Sequence, residues 1–203
     1  MADKILMNKN ALAALKTELK EYNIALPVFE MKEQQLKEVV QSIEHSINRL
    51  EKAIEQTNKE IKTWVAVMAE DTVDLSDLIK VDHVNTEKRE IAGVGIEAFV
   101  DVIFENIEVD LLATPLWVDT AINVVKDQKT NHIILEIEKK NIELLREELT
   151  EARRMKNALK EVFIPEAIES IRKIEIYLGD VERLAIGCAK LVKKKKLDKK
   201  AVS

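Results

Sequence analysis

Leu12, Leu15, Leu19, Tyr22, Leu26, Phe29, Glu33, Leu36, Val40, Ile43, Ile47, Leu50, Ile54, Thr57, Ile61, Trp64 and Met68 follow one another at alternating steps of three and four residues. Fifteen of these seventeen positions are apolar or aromatic, and only Glu33 and Thr57 interrupt them. A 3.5-residue period keeps such positions on the one face of a helix that winds against a partner. Phase held this long predicts a single coiled-coil helix, which at 1.5 Å per residue spans roughly 90 Å. Asn8 or Asn10 can cap its start, where free backbone N–H groups need an acceptor. Pro27 lies inside the seam, cannot donate an N–H and clashes with the carbonyl four residues back. Because the seam keeps phase through it, a kink is expected there rather than a break.

Composition points the same way. The 203 residues include only 4 Gly and 3 Pro, so little punctuates the chain. Charged residues make up 34% and aromatics 4%, which suits long helices with a narrow apolar seam better than a globule. The one cysteine, Cys188, excludes an internal disulfide and suits a reducing, cytoplasmic setting. No apolar run approaches the ~20 residues that span a bilayer, and from the opening Met1-Ala-Asp-Lys no secretory leader is expected. Contact with a membrane is therefore expected only through partners, without direct insertion.

The middle changes character. Asp71-Thr-Val-Asp-Leu-Ser-Asp carries helix-stopping and capping residue types. Beyond it Val94, Ile96, Ala98, Val100, Val102 and Phe104 alternate at period two, with Gly93 and Gly95 nearby, as a half-buried strand would. A β-hairpin turning near residues 88–93 is expected. Thr114-Pro115 then reads as an N-cap with proline at the first helical position, opening a second helix to about Lys196. Its first third is loosely patterned. From Ile142 a seam runs through Leu145, Leu149, Ala152, Leu159 and Phe163, with Lys156 out of place. From Ile164 a second phase runs through Ala167, Ile171, Ile174, Leu178, Val181, Ala185, Cys188 and Val192. A kink beside Pro165 would realign the two.

The expected architecture is all-α: a long antiparallel two-helix coiled coil with a small β-hairpin insert in the middle. Residues 1–70 form the N-terminal helix, 71–113 the insert, 114–196 the C-terminal helix and 197–203 a basic tail. If Met68 lies near Val124, residue numbers across the pair sum to about 192, which sets Pro27 opposite Pro165. Gly179 and Gly187 then fall near the start of the first helix, where their cost in a helix interior, about 1 kcal/mol each relative to Ala, implies close packing. Folding back also sorts charge. Residues 190–203 hold seven Lys and one Asp, a net +6, and residues 70–119 hold thirteen acids and three bases, a net −10.

Signs of catalysis are scarce. Gly93-Val-Gly95-Ile lacks the lysine and third glycine of a phosphate-binding loop. His45, His83 and His132 have no paired spacing, and His45 lies off the seam as a solvated residue. Carboxylate pairs such as Glu147-Glu148 sit on polar faces, without a pocket to shift their pKa. Cys188, on the seam beside Gly187, reads as a small core residue rather than a nucleophile. Neither cofactor nor metal is expected. The Lys193–Lys196 run has two readings: a solvated helix end favoured by the C-terminal dipole, or a contact with an acidic partner cavity. Nucleic acid is disfavoured, because the tail has no interleaved aromatics and the rest of the chain is net negative.

The stretch from Asn157 to Arg183, with Asn157-Ala-Leu, Ile164-Pro165, a repeated Ile spacing and a closing Glu182-Arg183, resembles the C-terminal signature of the D subunit of V-type and archaeal-type ATPases. Arg89-Glu-Ile-Ala-Gly-Val-Gly-Ile and Asn8-Lys-Asn-Ala-Leu-Ala-Ala-Leu-Lys-Thr-Glu-Leu resemble that family's hairpin and opening helix. The order helix, insert, helix matches along nearly the whole chain. Ile24-Ala-Leu-Pro-Val-Phe-Glu-Met stands where the family carries a basic, Gly-containing stretch, which fits a divergent bacterial branch. The resemblance implies a non-catalytic central-stalk rotor shaft, cytoplasmic and peripheral to the membrane, that couples ATP hydrolysis or synthesis to ion transport. It also implies three partners: the small central-stalk F subunit along the lower coiled coil, the hexameric catalytic ring around the termini, and a membrane-side rotor adaptor at the middle. Charge assigns Lys190, Lys193, Lys194, Lys195 and Lys196 to partner contacts, and the matched motifs add Gly93, Val94, Ile164, Pro165 and Arg183. A non-enzymatic coiled-coil scaffold or adaptor is the alternative. A membrane-curving dimer would need lysines along a concave face, whereas here they cluster at one end.

Overall fold

The computed structural model describes residues 6–68, 79–105 and 117–201. Helix α1 (Lys9–Met68) is followed by strands β1 (Val81–Ile91) and β2 (Val94–Phe104), then by helix α2 (Trp117–Ala158), a π-helical turn (Leu159–Phe163) and helix α3 (Ile164–Ala201). The Asp71–Asp77 stop and the Thr114-Pro115 cap lie outside the described residues. Asn8 is the residue that caps α1: its Oδ1 accepts the Ala11 N–H at 2.7 Å, satisfying one of the donors a helix start leaves free. Pro27 sits within α1 without ending it.

The chain divides into two compact units, one combining α1 up to Met31 with the C-terminal part from Ala152, the other running from Lys32 to Glu151. In the first, Lys16 pairs with Glu175 at 2.6 Å, Lys9 approaches Glu182 at 3.8 Å, and Tyr22 stacks on Phe163 with ring centroids 5.7 Å apart. In the second, Glu44 meets Arg146 at 2.7 Å, Glu51 meets Lys139 at 2.8 Å and Lys32 meets Glu148 at 2.5 Å. Rising numbers on α1 meet falling numbers on the other helix, so each unit is an antiparallel pair. The pairs 9/182 and 16/175 sum to 191, and 44/146 and 51/139 to 190, close to the expected 192. These ion pairs are mostly exposed and contribute little individually.

Burial carries the stability. Every heptad position of α1 from Leu12 to Ile61 is buried or half-buried, and Leu36 is fully so. Leu145, Leu149, Ala152, Ala167, Ile171 and Ile174 answer from the C-terminal side. Thr57, one of the polar breaks, spends its hydroxyl on the Ala53 carbonyl at 3.0 Å. Gln128 crosses to Asn58 at 2.9 Å and to the Ile54 carbonyl at 3.3 Å.

The jump in seam phase has a local cause. Leu159 is buried on the first phase and Ala167 on the second. Between them the π turn takes up one residue more than an α-turn, and the Ile164 N–H reaches back five residues to the Leu159 carbonyl. Pro165 lacks an N–H and its ring crowds the carbonyl four residues earlier, which favours loosening the helix just upstream. The realignment is thus made by a π turn at 159–163, where a kink beside Pro165 was expected, and it leaves Phe163 half-exposed against Tyr22.

The second phase is covered only in part. Ile164 to Leu178 are buried or half-buried at their seam positions, whereas Val181, Ala185, Cys188 and Val192 are exposed. Helix α1 begins at Lys9, beside Glu182, so no residue of α1 is left to lie against the later turns of α3. Cys188 is therefore an exposed thiol and not a small core residue. Gly179 and Gly187 are not at close contacts either, since a Cβ built at each meets nothing within 4 Å.

The hairpin turns at Ala92-Gly93, where both residues have positive φ, 53° and 84°. A two-residue turn of this kind matches the right-handed twist of the flanking strands, and glycine adopts it freely. β1 and β2 pair antiparallel from Ile91↔Val94 to Val81↔Phe104, with irregularities at Val81/His83 and Asn85/Thr86. The second leaves Val100 without a partner, and it faces outward, 59% exposed, where strict alternation placed it inward.

Glu138 stands in phase with Ile142 and Leu145, on the seam side of α2. It has no ion-pair partner among the described residues. Burial alone raises its carboxyl pKa above the usual carboxylate value of 4.5. A raised folded-state pKa means that the folded chain holds this proton more tightly, so stability falls as pH rises above 4.5 and the penalty is complete once the folded group has ionised. Glu138→Gln should raise the thermal midpoint at pH 7 and leave it unchanged well below pH 4.5, in melts followed by circular dichroism. Leu36→Ala should destabilise the chain by about 2–5 kcal/mol in urea titrations. Val28→Ala, on the exposed face of α1, should stay within about 0.5 kcal/mol of the parent.

Candidate interaction surfaces

The ten residues assigned to partner contacts are divided between the two units. Lys190, Lys193, Lys194, Lys195 and Lys196 occupy the last turns of α3, all exposed. Arg183 is also exposed and is tied to Asp180 at 3.2 Å, three residues earlier on the same helix. Ile164 is half-buried behind the π turn, and Pro165 is exposed beside it. These belong to the first unit. Gly93 and Val94 belong to the second, at the hairpin turn and the start of β2.

Along α3 the lysines follow an uncovered apolar stripe. Val181, Leu184, Cys188, Leu191 and Val192 continue the covered seam in phase or flank it, and Leu184 is 69% exposed. A shallow groove of about 540 Å³ runs past Arg183, Leu184, Gly187 and Leu191. The stripe is what remains of a helix-pairing face once α1 has ended.

The side chain of Asn141 ties β2 to α2. Asn141 is 4% exposed. Its Oδ1 accepts the Glu97 N–H at 3.1 Å, and its Nδ2 donates to the Glu97 carbonyl at 2.6 Å. The amide thus takes both hydrogen-bonding groups of one β2 residue, as a neighbouring strand would. Ile96, buried, rests nearby with the buried Ile137. Lys126 lies over the Phe104 ring, 5.6 Å from its centroid, an attraction worth about 0.5–1 kcal/mol at an exposed site. Lys129 donates to the Ile79 carbonyl, and the Glu105 N–H donates to the Lys80 carbonyl at 2.9 Å, closing the base of the hairpin.

Beside this clamp is a notch of about 500 Å³ whose walls are Ile96, Ile137, Asn141 and Leu144, with Gly95 at its opening and Lys88, Glu97 and Lys140 bringing charge to it. It was not anticipated from sequence, although Ile137, Asn141 and Leu144 mark a stripe at steps of four and three beside the main seam. A second cleft, of about 520 Å³, is mixed in character, with Ile61 and Val124 among Thr57, Glu60, Thr120, Asp127, Thr130 and Asn131 on its walls. Among the described residues no three His, Cys, Asp or Glu side chains are grouped to hold a metal ion. Nor is any described helix long and apolar enough to cross a membrane. Glu55 and Glu169 have lowered pKa values through hydrogen bonds from Lys59 and Lys173 on the same helices, an effect of solvated neighbours rather than of a reactive centre. Asn141→Ala should strip both bonds from Glu97 and speed amide exchange along β2, at a cost of about 1–3 kcal/mol.

A family model describing the D subunit of ATP synthase matches residues 11–194. The chain is 36% identical over 192 residues to the V-type ATP synthase D subunit of Borreliella burgdorferi, covering 94% of each chain. It is 28% identical over 197 residues to a protein of the same description from Chlamydia muridarum, covering 96% of this chain and 97% of the relative. A Chlamydia trachomatis relative is 28% identical over 201 residues, covering 96% of this chain and 97% of the relative. The match takes in both long helices and the hairpin between them, and the chain belongs to the ATP synthase D-subunit family.

Proposed function

We propose that this chain is the central-stalk rotor shaft of a V/A-type ATPase or ATP synthase. In this role it couples ATP hydrolysis or synthesis in a hexameric catalytic ring to ion transport across the membrane by rotation. The observation that carries the reading is the family match along residues 11–194, the length of both helices. The architecture suits it. Two helices zipped along a narrow seam, as a coiled coil, resist twisting while leaving their outer faces free to slide against a surrounding bearing.

In this reading nucleotide is handled by other subunits, and the chain catalyses nothing itself. The termini sit within the ring, where the exposed lysines at the end of α3 meet acidic walls. The acidic middle faces a membrane-side rotor adaptor, and the small F subunit binds along the lower coiled coil. The complex holds the chain at the membrane's cytoplasmic side without insertion. Gly93 and Val94 at the hairpin turn, Ile164 and Pro165 beside the π turn, and Arg183 farther along α3 are the contact residues assigned by the family motifs.

Co-expression with the other subunits of such an enzyme tests this. The expected result is a stable complex containing the ring and the small F subunit, with ion transport lost when the chain is omitted. If the chain is recovered alone, it is a coiled-coil scaffold of another kind. Removing residues 190–203 should weaken ring association and lower coupled turnover; unchanged assembly and turnover would mark the lysines as a solvated helix end.

A further inference from the structure

From the geometry beside the hairpin we infer that the notch between β2 and α2 is a docking site. Its occupant is an apolar side chain flanked by carboxylates, presented by a neighbouring subunit of the assembly. This deepens the rotor-shaft reading and rests on it. Ile96 and Ile137 are buried in the lining, while Leu144 stands 48% exposed at its edge. Asn141 adds no free polarity, because its amide is fully engaged by the Glu97 backbone. Gly95 leaves the opening clear, since a Cβ there would meet nothing within 4 Å. The notch therefore has an open apolar floor, with a leucine still in water, and a charged rim of Lys88, Lys140 and Glu97.

Charge selects the occupant. Lys88 and Lys140 both line the notch, and neither has an ion-pair partner among the described residues. Lys88 is conspicuous in this respect. It stands in a stretch, residues 70–119, with thirteen acids and three bases, yet Glu87 pairs with Arg89 at 2.9 Å and not with Lys88. Glu97 lies across the strands from Lys88 in the sheet register and forms no ion pair with it. Glu97 also lines the notch, so its rim carries two cations to one carboxylate, a net positive edge on an otherwise acidic insert, which repels acidic partners elsewhere. An aliphatic or aromatic anchor entering beside Leu144, with Asp or Glu on either side, satisfies the apolar walls and both lysines together.

The test uses the full chain in the assembled complex, with a benzophenone photo-crosslinking residue in place of Leu144. Irradiation should join the chain to one neighbouring subunit, at a peptide that mass spectrometry shows to be apolar with flanking acids. Leu144→Asp, and separately Lys88→Glu with Lys140→Glu, should each weaken retention of that neighbour about tenfold, with far-ultraviolet circular dichroism unchanged. A complex that retains the chain but yields no crosslink, crosslinks to a peptide without acids, or holds both variants at full strength overturns the notch and leaves the shaft reading standing. A chain that joins no complex at all overturns both.

Discussion

Each helix of this chain can bury only a narrow face against the other, and nearly everything else follows from that restriction. Seam positions on α1 from Leu12 to Ile61 are covered, and between them the surface is charged and wet. A pair built this way gains its stability in small repeated increments along its length, at roughly 1.5–3 kcal/mol for each large side chain fully buried. No step in that series encloses a volume, so clefts along the helices are open grooves. A titratable group held in such a groove keeps access to water, which is poor ground for general acid–base chemistry.

The same restriction decided what could be read from residues alone. Burial at 3.5-residue spacing is a property of sequence order, so α1 was legible from Leu12 onward, and the hairpin from the alternation of Val94, Ile96 and Ala98. Antiparallel register followed to within two residues once Met68 was set near Val124. Three things lay outside that reach. The seam of α3 is unbroken in sequence through Val192, but its coverage depends on where α1 starts, so Cys188 passed for a core residue. Val100 keeps the alternation in sequence, but an unpaired position in the ladder turned it outward. Asn141 has no local signal, since its partner is the backbone of a residue 44 positions earlier.

The candidate contact residues were legible in kind more than in place. Lysine clustering marked the end of α3 without a structure. The matched motifs marked Gly93, Val94, Ile164, Pro165 and Arg183, and these lie in two separate units. Lys88, Lys140 and Leu144 could not be grouped from sequence, because β1 and α2 meet only after the hairpin closes and Asn141 seizes Glu97. Charge patterning thus reports on a face, whereas a notch requires two elements to be brought together.

The π turn at Leu159–Phe163 has a bearing on how such a chain can change its length. Adding one residue to an α-helix rotates everything beyond it by about 100°, which would swing Ile171 and Ile174 from the covered face into water. Helical insertions and deletions are therefore tolerated in whole heptads, or else must be absorbed on the spot. Leu159–Phe163 is such a place of absorption, a remainder of one residue carried between two stretches that are each in step with α1. In a family whose members align end to end, gaps should gather at this turn and in the insert, and the helical stretches on either side should inherit their length as a fixed count.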